Sequence, residues 1–78
     1  MDISEQSDIF HLLRTKGYTL QESTPERLRF EKQDDDHSEI IIQNIPGSLP
    51  VQIKTKGETV DYSAENFADL KNYLEETL

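Results

Sequence analysis

Four consecutive residues, Asp34-Asp35-Asp36-His37, form the one cluster of candidate metal ligands in the sequence. A calcium loop places acidic residues at alternate positions, with a central glycine and a distal glutamate. Here three carboxylates are adjacent, no glycine follows them, and Glu39 lies too close to serve as the distal ligand. Because aspartate is favoured in turns and adjacent like charges stay in water, we expect a solvated hairpin turn, with weak divalent-ion binding as the alternative.

Asp36, His37 and Ser38 have the residue types of a catalytic triad, but they follow one another directly in the sequence. A triad requires the nucleophile, its base and the group that orients the base to converge in space. Successive side chains of an extended segment point to opposite faces, so these three do not converge. The glycines also stand singly and form no phosphate-binding loop. We therefore expect a protein that is not an enzyme and carries no cofactor.

The 78 residues include 16 acidic and eight basic residues and no cysteine, which gives a net charge of -8. Apolar residues make up 33% of the chain, which is enough for one folded core, and the length predicts a single domain, residues 1–78. The first residues lack the basic and apolar regions of an export signal, and no apolar run is long enough to cross a bilayer. These features predict a cytoplasmic protein that does not bind membranes.

Apolar periodicity predicts a helix at each end of the chain. Ile9 and Leu13 belong to one apolar arc of a helix from about residue 3 to 16, which Gly17 closes. Ser63 is predicted to cap the last helix, with Tyr62 and Phe67 as a hydrophobic staple around its start. The segments between the helices alternate apolar and polar residues, which is typical of strands.

The alternating segments predict strands at residues 18–22, 27–32 and 38–43, followed by two short strands around the Gly57-Glu58 turn. Val51, Ile53, Val60 and Tyr62 are predicted to face inward in these last two strands. The predicted fold is therefore α+β, with an N-terminal helix, a four- to five-stranded antiparallel meander and a C-terminal helix. Both helices are expected on one face of the sheet.

Several charged residues share the alternation phase that faces away from the predicted core. The basic ones are Arg27, Arg29, Lys54 and Lys56, and the interleaved acidic ones are Glu31, Glu39 and Asp61. Opposite charges at neighbouring positions of adjacent strands predict a cross-strand lattice of ion pairs rather than a nucleic-acid site. The net charge also opposes polyanions, so we expect no direct binding of nucleic acid.

The first functional hypothesis is phosphate mimicry. The helices and turns carry most of the acidic residues, and such a surface can occupy the basic groove of a nucleic-acid-binding protein. In size, charge and lack of catalytic motifs, the chain resembles small acidic inhibitors encoded by phages. The carboxylates expected to contact the partner are Asp34, Asp35, Asp36 and Glu39, followed by Asp69, Glu75 and Glu76.

The second hypothesis is an adaptor or assembly factor that binds through an apolar patch. Ile41 faces away from the predicted core, and Ile45 and Leu49 flank the Pro46-Gly47 turn. Together they predict an exposed patch for a protein partner or for a second copy in a homodimer, unless Ile45 and Leu49 cap the core. Salt separates the two hypotheses, because charge mimicry weakens steeply with ionic strength and an apolar interface hardly responds.

Overall fold

A computed structural model describes residues 1–33 and 37–78 of the chain. Two helices flank five strands in the order α1 (Ile3–Thr15), β1 (Tyr18–Ser23), β2 (Arg27–Lys32), β3 (Glu39–Gln43), β4 (Leu49–Thr55), β5 (Glu58–Ala64) and α2 (Phe67–Thr77). The strands form one sheet in their sequence order, and each neighbouring pair is antiparallel. The predicted α+β fold is confirmed.

Local signals define both ends of α1. The Asp2 side chain accepts a 2.8 Å hydrogen bond from the backbone N–H of Glu5, and the Glu5 side chain accepts one from the backbone N–H of Asp2. This capping box satisfies two N–H groups that the first helical turn leaves free. Gly17 follows the helix with a φ of 93°, a left-handed conformation that glycine adopts without strain.

The core lies between the two helices and one face of the sheet. It contains Ile9, Leu13, Tyr18, Leu28, Phe30, Ile40, Ile42, Leu49, Val51, Ile53, Ala64, Leu70 and Leu74. In the middle of the sheet, Ile40 pairs with Phe30 on one side and with Ile53 on the other. Alternate residues of every central strand therefore point to the same apolar layer, and both helices cover that face as predicted.

The start of α2 differs from the prediction. Asn66, not Ser63, is the N-cap, and its side-chain oxygen accepts a 2.9 Å hydrogen bond from the backbone N–H of Asp69. The strand β5 continues through Ser63 to Ala64, which is buried and paired with β4. Strand pairing and burial of Ala64 thus outweigh the capping preference of Ser63, and the staple predicted at Tyr62 and Phe67 is out of position.

Strands β4 and β5 are seven residues each, so the prediction that they are short is wrong. Their pairs run without interruption from Leu49 and Ala64 to Thr55 and Glu58. Val60 lies opposite the buried Ile53, on the side of the helices, yet it is 47% exposed because β5 is an edge strand. Within the described ranges, neither helix is long and apolar enough to cross a membrane.

Candidate functional site

The face of the sheet opposite the helices is the candidate site, and we call it the open face. It consists of the outward residues Thr19, Glu22, Arg27, Arg29, Glu31, Glu39, Ile41, Gln43, Pro50, Gln52, Lys54, Thr59, Asp61 and Ser63. These positions alternate with the core residues along each strand. Neither α1 nor α2 covers them, because both helices pack on the other face.

A bulge in β1 brings an additional carboxylate to the open face. The register between β1 and β2 shifts between Leu20 and Glu22, so that Leu20 pairs with Phe30 and Glu22 pairs with Arg29. Without the shift, Glu22 would alternate onto the same side as Leu20. Alternation of residue types along β1 does not by itself indicate the position of this bulge.

Arg29 is the centre of an ion-pair lattice. Its guanidinium lies 2.8 Å from Glu31, 3.2 Å from Glu39 and 4.0 Å from Glu22. The hydrogen bond to Glu31, with that to Glu39, raises the pKa of Arg29 above its ordinary value. Glu39 also lies 3.8 Å from Lys54 in the next strand, so the four strands β1 to β4 share one network. The predicted lattice is confirmed at these residues.

The edges of the lattice differ from the prediction. Arg27 pairs with Glu22 at 2.7 Å, whereas Asp61 accepts a 3.2 Å hydrogen bond from the side-chain amide of Gln52 instead of pairing with a cation. Lys56 lies in the turn between β4 and β5 and forms no ion pair with the residues described. The lattice therefore occupies β1 to β4, and on the open side of β5 Asp61 pairs with no cation among the residues described.

Ile41 faces away from the core, as the sequence predicted, and the structure places it in β3, the middle strand of the open face. It is half-buried in β3 and pairs with Arg29 on one side and Gln52 on the other. Beside it is a shallow groove of about 620 Å³. Its lining includes Arg27, Ile41, Gln43, Pro50, Gln52, Lys54 and Asp61. The groove thus combines apolar surface with amides and with charged groups at its margins.

The predicted three-residue apolar patch does not form. Leu49 is buried in the core, which was the alternative considered for it. Ile45 is 45% exposed and lines a different groove of about 730 Å³, together with Pro25 and Pro46 from two turns. Ile41 therefore forms no continuous apolar patch with Ile45 and Leu49.

No protein-family model, curated protein or solved structure matches this chain. The candidate site therefore has to be judged from its own geometry. Among residues 1–33 and 37–78, no group of three or more histidine, cysteine or acidic side chains is arranged to hold a metal ion. The proposed acidic turn Asp34, Asp35 and Asp36, with its alternative role in binding a divalent ion, lies outside the described residues.

Two of the carboxylates predicted to contact a partner are occupied within the fold. Glu39 is 20% exposed and lies between Arg29 and Lys54. Asp69 accepts a 2.7 Å hydrogen bond from the Tyr62 hydroxyl and a 3.0 Å hydrogen bond from the backbone N–H of Glu65. The hydrogen bond from Tyr62, followed by that from Glu65, lowers the pKa of Asp69. Both carboxylates therefore have structural partners.

Glu75 and Glu76 are exposed near the C-terminal end of α2, where the last turn contains no basic residue. Neither forms an ion pair within the described part of the chain. Asp69 lies in the first turn of the same helix, about 10 Å away along the axis at 1.5 Å per residue. The three residues predicted as a second acidic cluster are therefore divided between the two ends of the helix.

Proposed function

We propose that this protein is a non-enzymatic binding domain that docks a protein partner of net positive charge on the open face, over Ile41. The central observation is that Ile41 is an apolar residue in the middle strand of an uncovered sheet face. The centre of an interface is more apolar than its rim, so an apolar side chain ringed by polar and charged ones on an uncovered face can serve as such a centre.

The composition of the groove indicates how the partner would bind. An apolar side chain of the partner can cover Ile41 and Pro50, while the amides of Gln43 and Gln52 can donate and accept hydrogen bonds. The ion pairs of Arg29 are already formed, so the partner does not need to supply charges for them. Apolar contact and amide hydrogen bonds would therefore provide most of the affinity.

Net charge favours a basic partner over a second copy. The open face carries Arg27, Arg29 and Lys54 against four carboxylates, Glu22, Glu31, Glu39 and Asp61, and is nearly neutral. The whole protein has a charge of -8, so two copies repel each other, whereas a basic protein is attracted and associates faster. We expect added salt to lower the association rate and to leave the dissociation rate nearly unchanged.

Phosphate mimicry is the second candidate, and one observation favours it. Glu75 and Glu76 are exposed and without cations in the described structure, although the negative end of a helix disfavours acidic residues. A basic groove on a nucleic-acid-binding protein could supply the missing charges. Glu39 and Asp69 are not part of this second proposal, since each is occupied by contacts within the fold.

The test compares partner capture by the wild-type protein and by substituted variants of the same length. Ile41→Glu places a charge in the groove, Glu75→Gln with Glu76→Gln removes the helix-end charges, and Thr19→Glu adds a charge to the open face outside the groove. Bound proteins are eluted with a salt gradient and identified by mass spectrometry. Analytical ultracentrifugation of each variant reports whether it forms a dimer.

Docking over Ile41 predicts that one basic partner is lost with Ile41→Glu and kept with the other variants. Loss with the Glu75 and Glu76 substitutions alone, with release at moderate salt and displacement by DNA or RNA, would support phosphate mimicry instead. If the wild type forms a dimer and Ile41→Glu dissociates it, the open face binds a second copy instead of a basic partner. Retention of every partner by Ile41→Glu would contradict docking on the open face.

A further inference from the structure

The two edges of the sheet differ in how well they are protected against pairing with another chain. A sheet edge exposes unpaired backbone N–H and C=O groups, and bulges, prolines and lysines are common protective features. β1 has a bulge between Leu20 and Glu22 that interrupts its register. β5 pairs with β4 over all seven residues without a shift, and it contains neither proline nor lysine. Of the two edges, β5 is therefore the better template for another strand.

The edge of β5 has free backbone groups along its whole length. Seven residues at about 3.4 Å each give an edge of ~24 Å. In an antiparallel pair, successive residues direct their backbone N–H and C=O groups alternately toward the partner strand and away from it. About half of the residues of β5 therefore direct these groups outward. Among the described residues, β5 has β4 as its one neighbouring strand. An added strand would satisfy these outward groups.

The side chains of β5 specify what the added strand should contain. On the side of the helices, Val60 is 47% exposed, and the ring of Tyr62 stacks on Tyr73 with 4.0 Å between centroids. An apolar side chain in the added strand would cover Val60 and adjoin these rings. On the open face, Asp61 has no cation in the described structure. A lysine or arginine opposite Asp61 would form a favourable cross-strand pair.

A second copy fits this edge poorly. Antiparallel pairing of β5 with itself, centred on the strand, places Asp61 opposite or diagonal to the Asp61 of the other copy. It also joins two proteins that each carry a charge of -8. Like charges at cross-strand positions destabilise a sheet, so charge complementarity favours a different, basic strand.

We propose that the free edge of β5 accepts an extended segment of a partner protein as a sixth strand, and that this segment alternates apolar with basic residues. Its backbone hydrogen bonds provide affinity, while its apolar side chains cover Val60 and a basic one lies opposite Asp61. This interaction uses the sheet edge and goes beyond the proposed function, because it holds whether or not a partner also covers Ile41.

The experiment titrates ¹⁵N-labelled protein with a capped eight-residue peptide that alternates valine and lysine. A second peptide replaces each lysine with glutamate. We expect the first peptide to shift the amide signals of residues 58–64 and to slow their exchange with deuterated water, and the second to do neither. Asp61→Asn should weaken binding about two- to fivefold. Asp8→Asn changes the net charge equally on exposed α1 and should leave the affinity unchanged.

Three outcomes would overturn the proposal. The first is no shift within residues 58–64, and the second is an equal response to both peptides. The third is shifts spread over α1 and α2, with equal weakening by Asp61→Asn and Asp8→Asn, which would show general attraction to an acidic protein. The response is read at residues 58–64 of the sheet edge, so the test does not depend on docking over Ile41.

Discussion

The hydroxyl of Tyr62 donates a 2.7 Å hydrogen bond to the carboxylate of Asp69, and this bond joins the edge strand β5 to the first turn of α2. The same carboxylate accepts a hydrogen bond from the backbone N–H of Glu65. The bond between the two side chains lowers the pKa of Asp69 and raises the pKa of Tyr62. The junction of β5 and α2 should therefore respond to pH in both the acidic and the alkaline range.

Asp69→Asn should lower the free energy of unfolding at neutral pH, because it removes the charged acceptor of both hydrogen bonds. The pKa of Asp69 is lower in the folded state than its ordinary value of 3.8. The stabilisation is thus fully present above that value and is lost as the pH falls through the folded-state pKa. Urea unfolding at a series of pH values should show that the two proteins differ less in free energy of unfolding as the pH falls. A difference that does not change with pH would contradict this assignment.

Tyr62→Phe should remove the tyrosine that ionises above the ordinary pKa of 10.0. A raised folded-state pKa means that the stabilisation is present below 10.0 and is lost as the pH rises through the higher value. The measurement is the ultraviolet absorbance of phenolate in an alkaline titration of the wild type and of Tyr62→Phe. The phenolate signal that appears at the highest pH should be missing from the variant. Tyr73→Phe is the control, because it keeps a ring to stack on Tyr62 and leaves the bond to Asp69 in place. If Tyr73→Phe instead removes the phenolate signal that appears at the highest pH, that signal belongs to Tyr73 and the assignment to Tyr62 is wrong.

Asn66→Ala should destabilise the protein by about 1 kcal/mol, which is typical for the loss of an N-cap. The side chain of Asn66 accepts the hydrogen bond from the backbone N–H of Asp69. Ser63→Ala should cost less, since its hydroxyl lies 2.9 Å from that of Ser48 at an exposed position. Urea unfolding measures both, and a larger loss with Ser63→Ala would place the helix start where the local sequence signal predicts it.

Arg29→Gln should destabilise the fold more than Lys56→Gln, although both remove one positive charge. Glu31 and Glu39 lie opposite each other on neighbouring strands, and without Arg29 they lose the cation that they share. Lys56 is exposed and unpaired in the described structure, so its loss should have little effect. Thermal unfolding at low and high salt is the measurement, with the difference expected to narrow as salt screens the lattice. Equal losses would show that the lattice adds nothing to stability.

Glu76→Lys should stabilise the protein by roughly 0.3–1 kcal/mol at low ionic strength, because a cation suits the negative end of α2. Glu58→Lys makes the same change in net charge at the exposed first residue of β5 and serves as the control. Chemical denaturation with and without salt measures both variants. If Glu76→Lys stabilises the fold but abolishes capture of a partner, the acidic helix end serves binding at the expense of stability.

Much of the fold could be predicted because local patterns and tertiary burial agree. Leu28 and Phe30 alternate in β2 as Ile40 and Ile42 do in β3, so the two strands have matching apolar faces. The charged residues at the intervening positions then had to face away from the core, which is why the lattice around Arg29 was predictable. Helix α1 was equally clear, since its capping and closing signals are all local.

The rest depended on features that a single sequence does not display. The bulge that turns Glu22 toward Arg29 is set by the pairing of two strands, not by the residues of β1 alone. The start of α2 was misplaced because Ala64 is drawn into the sheet by burial. Asp69 was predicted to face a partner, but its contact with Tyr62 depends on where β5 ends and the helix begins.

The strand order, in which every strand pairs with the next in sequence, also shapes how the chain folds. At most six residues separate one strand from the next in the sequence, so little loop entropy is lost before the contacts of each strand pair form. Paired residues of neighbouring strands are at most 16 positions apart in the sequence, whereas α1 and α2 come together from the two ends of the chain. Chains with such local connectivity reach the native state faster than other β-rich proteins of similar length. Local connectivity of this kind shortens the time in which the strands of an incomplete sheet stand unpaired and can aggregate.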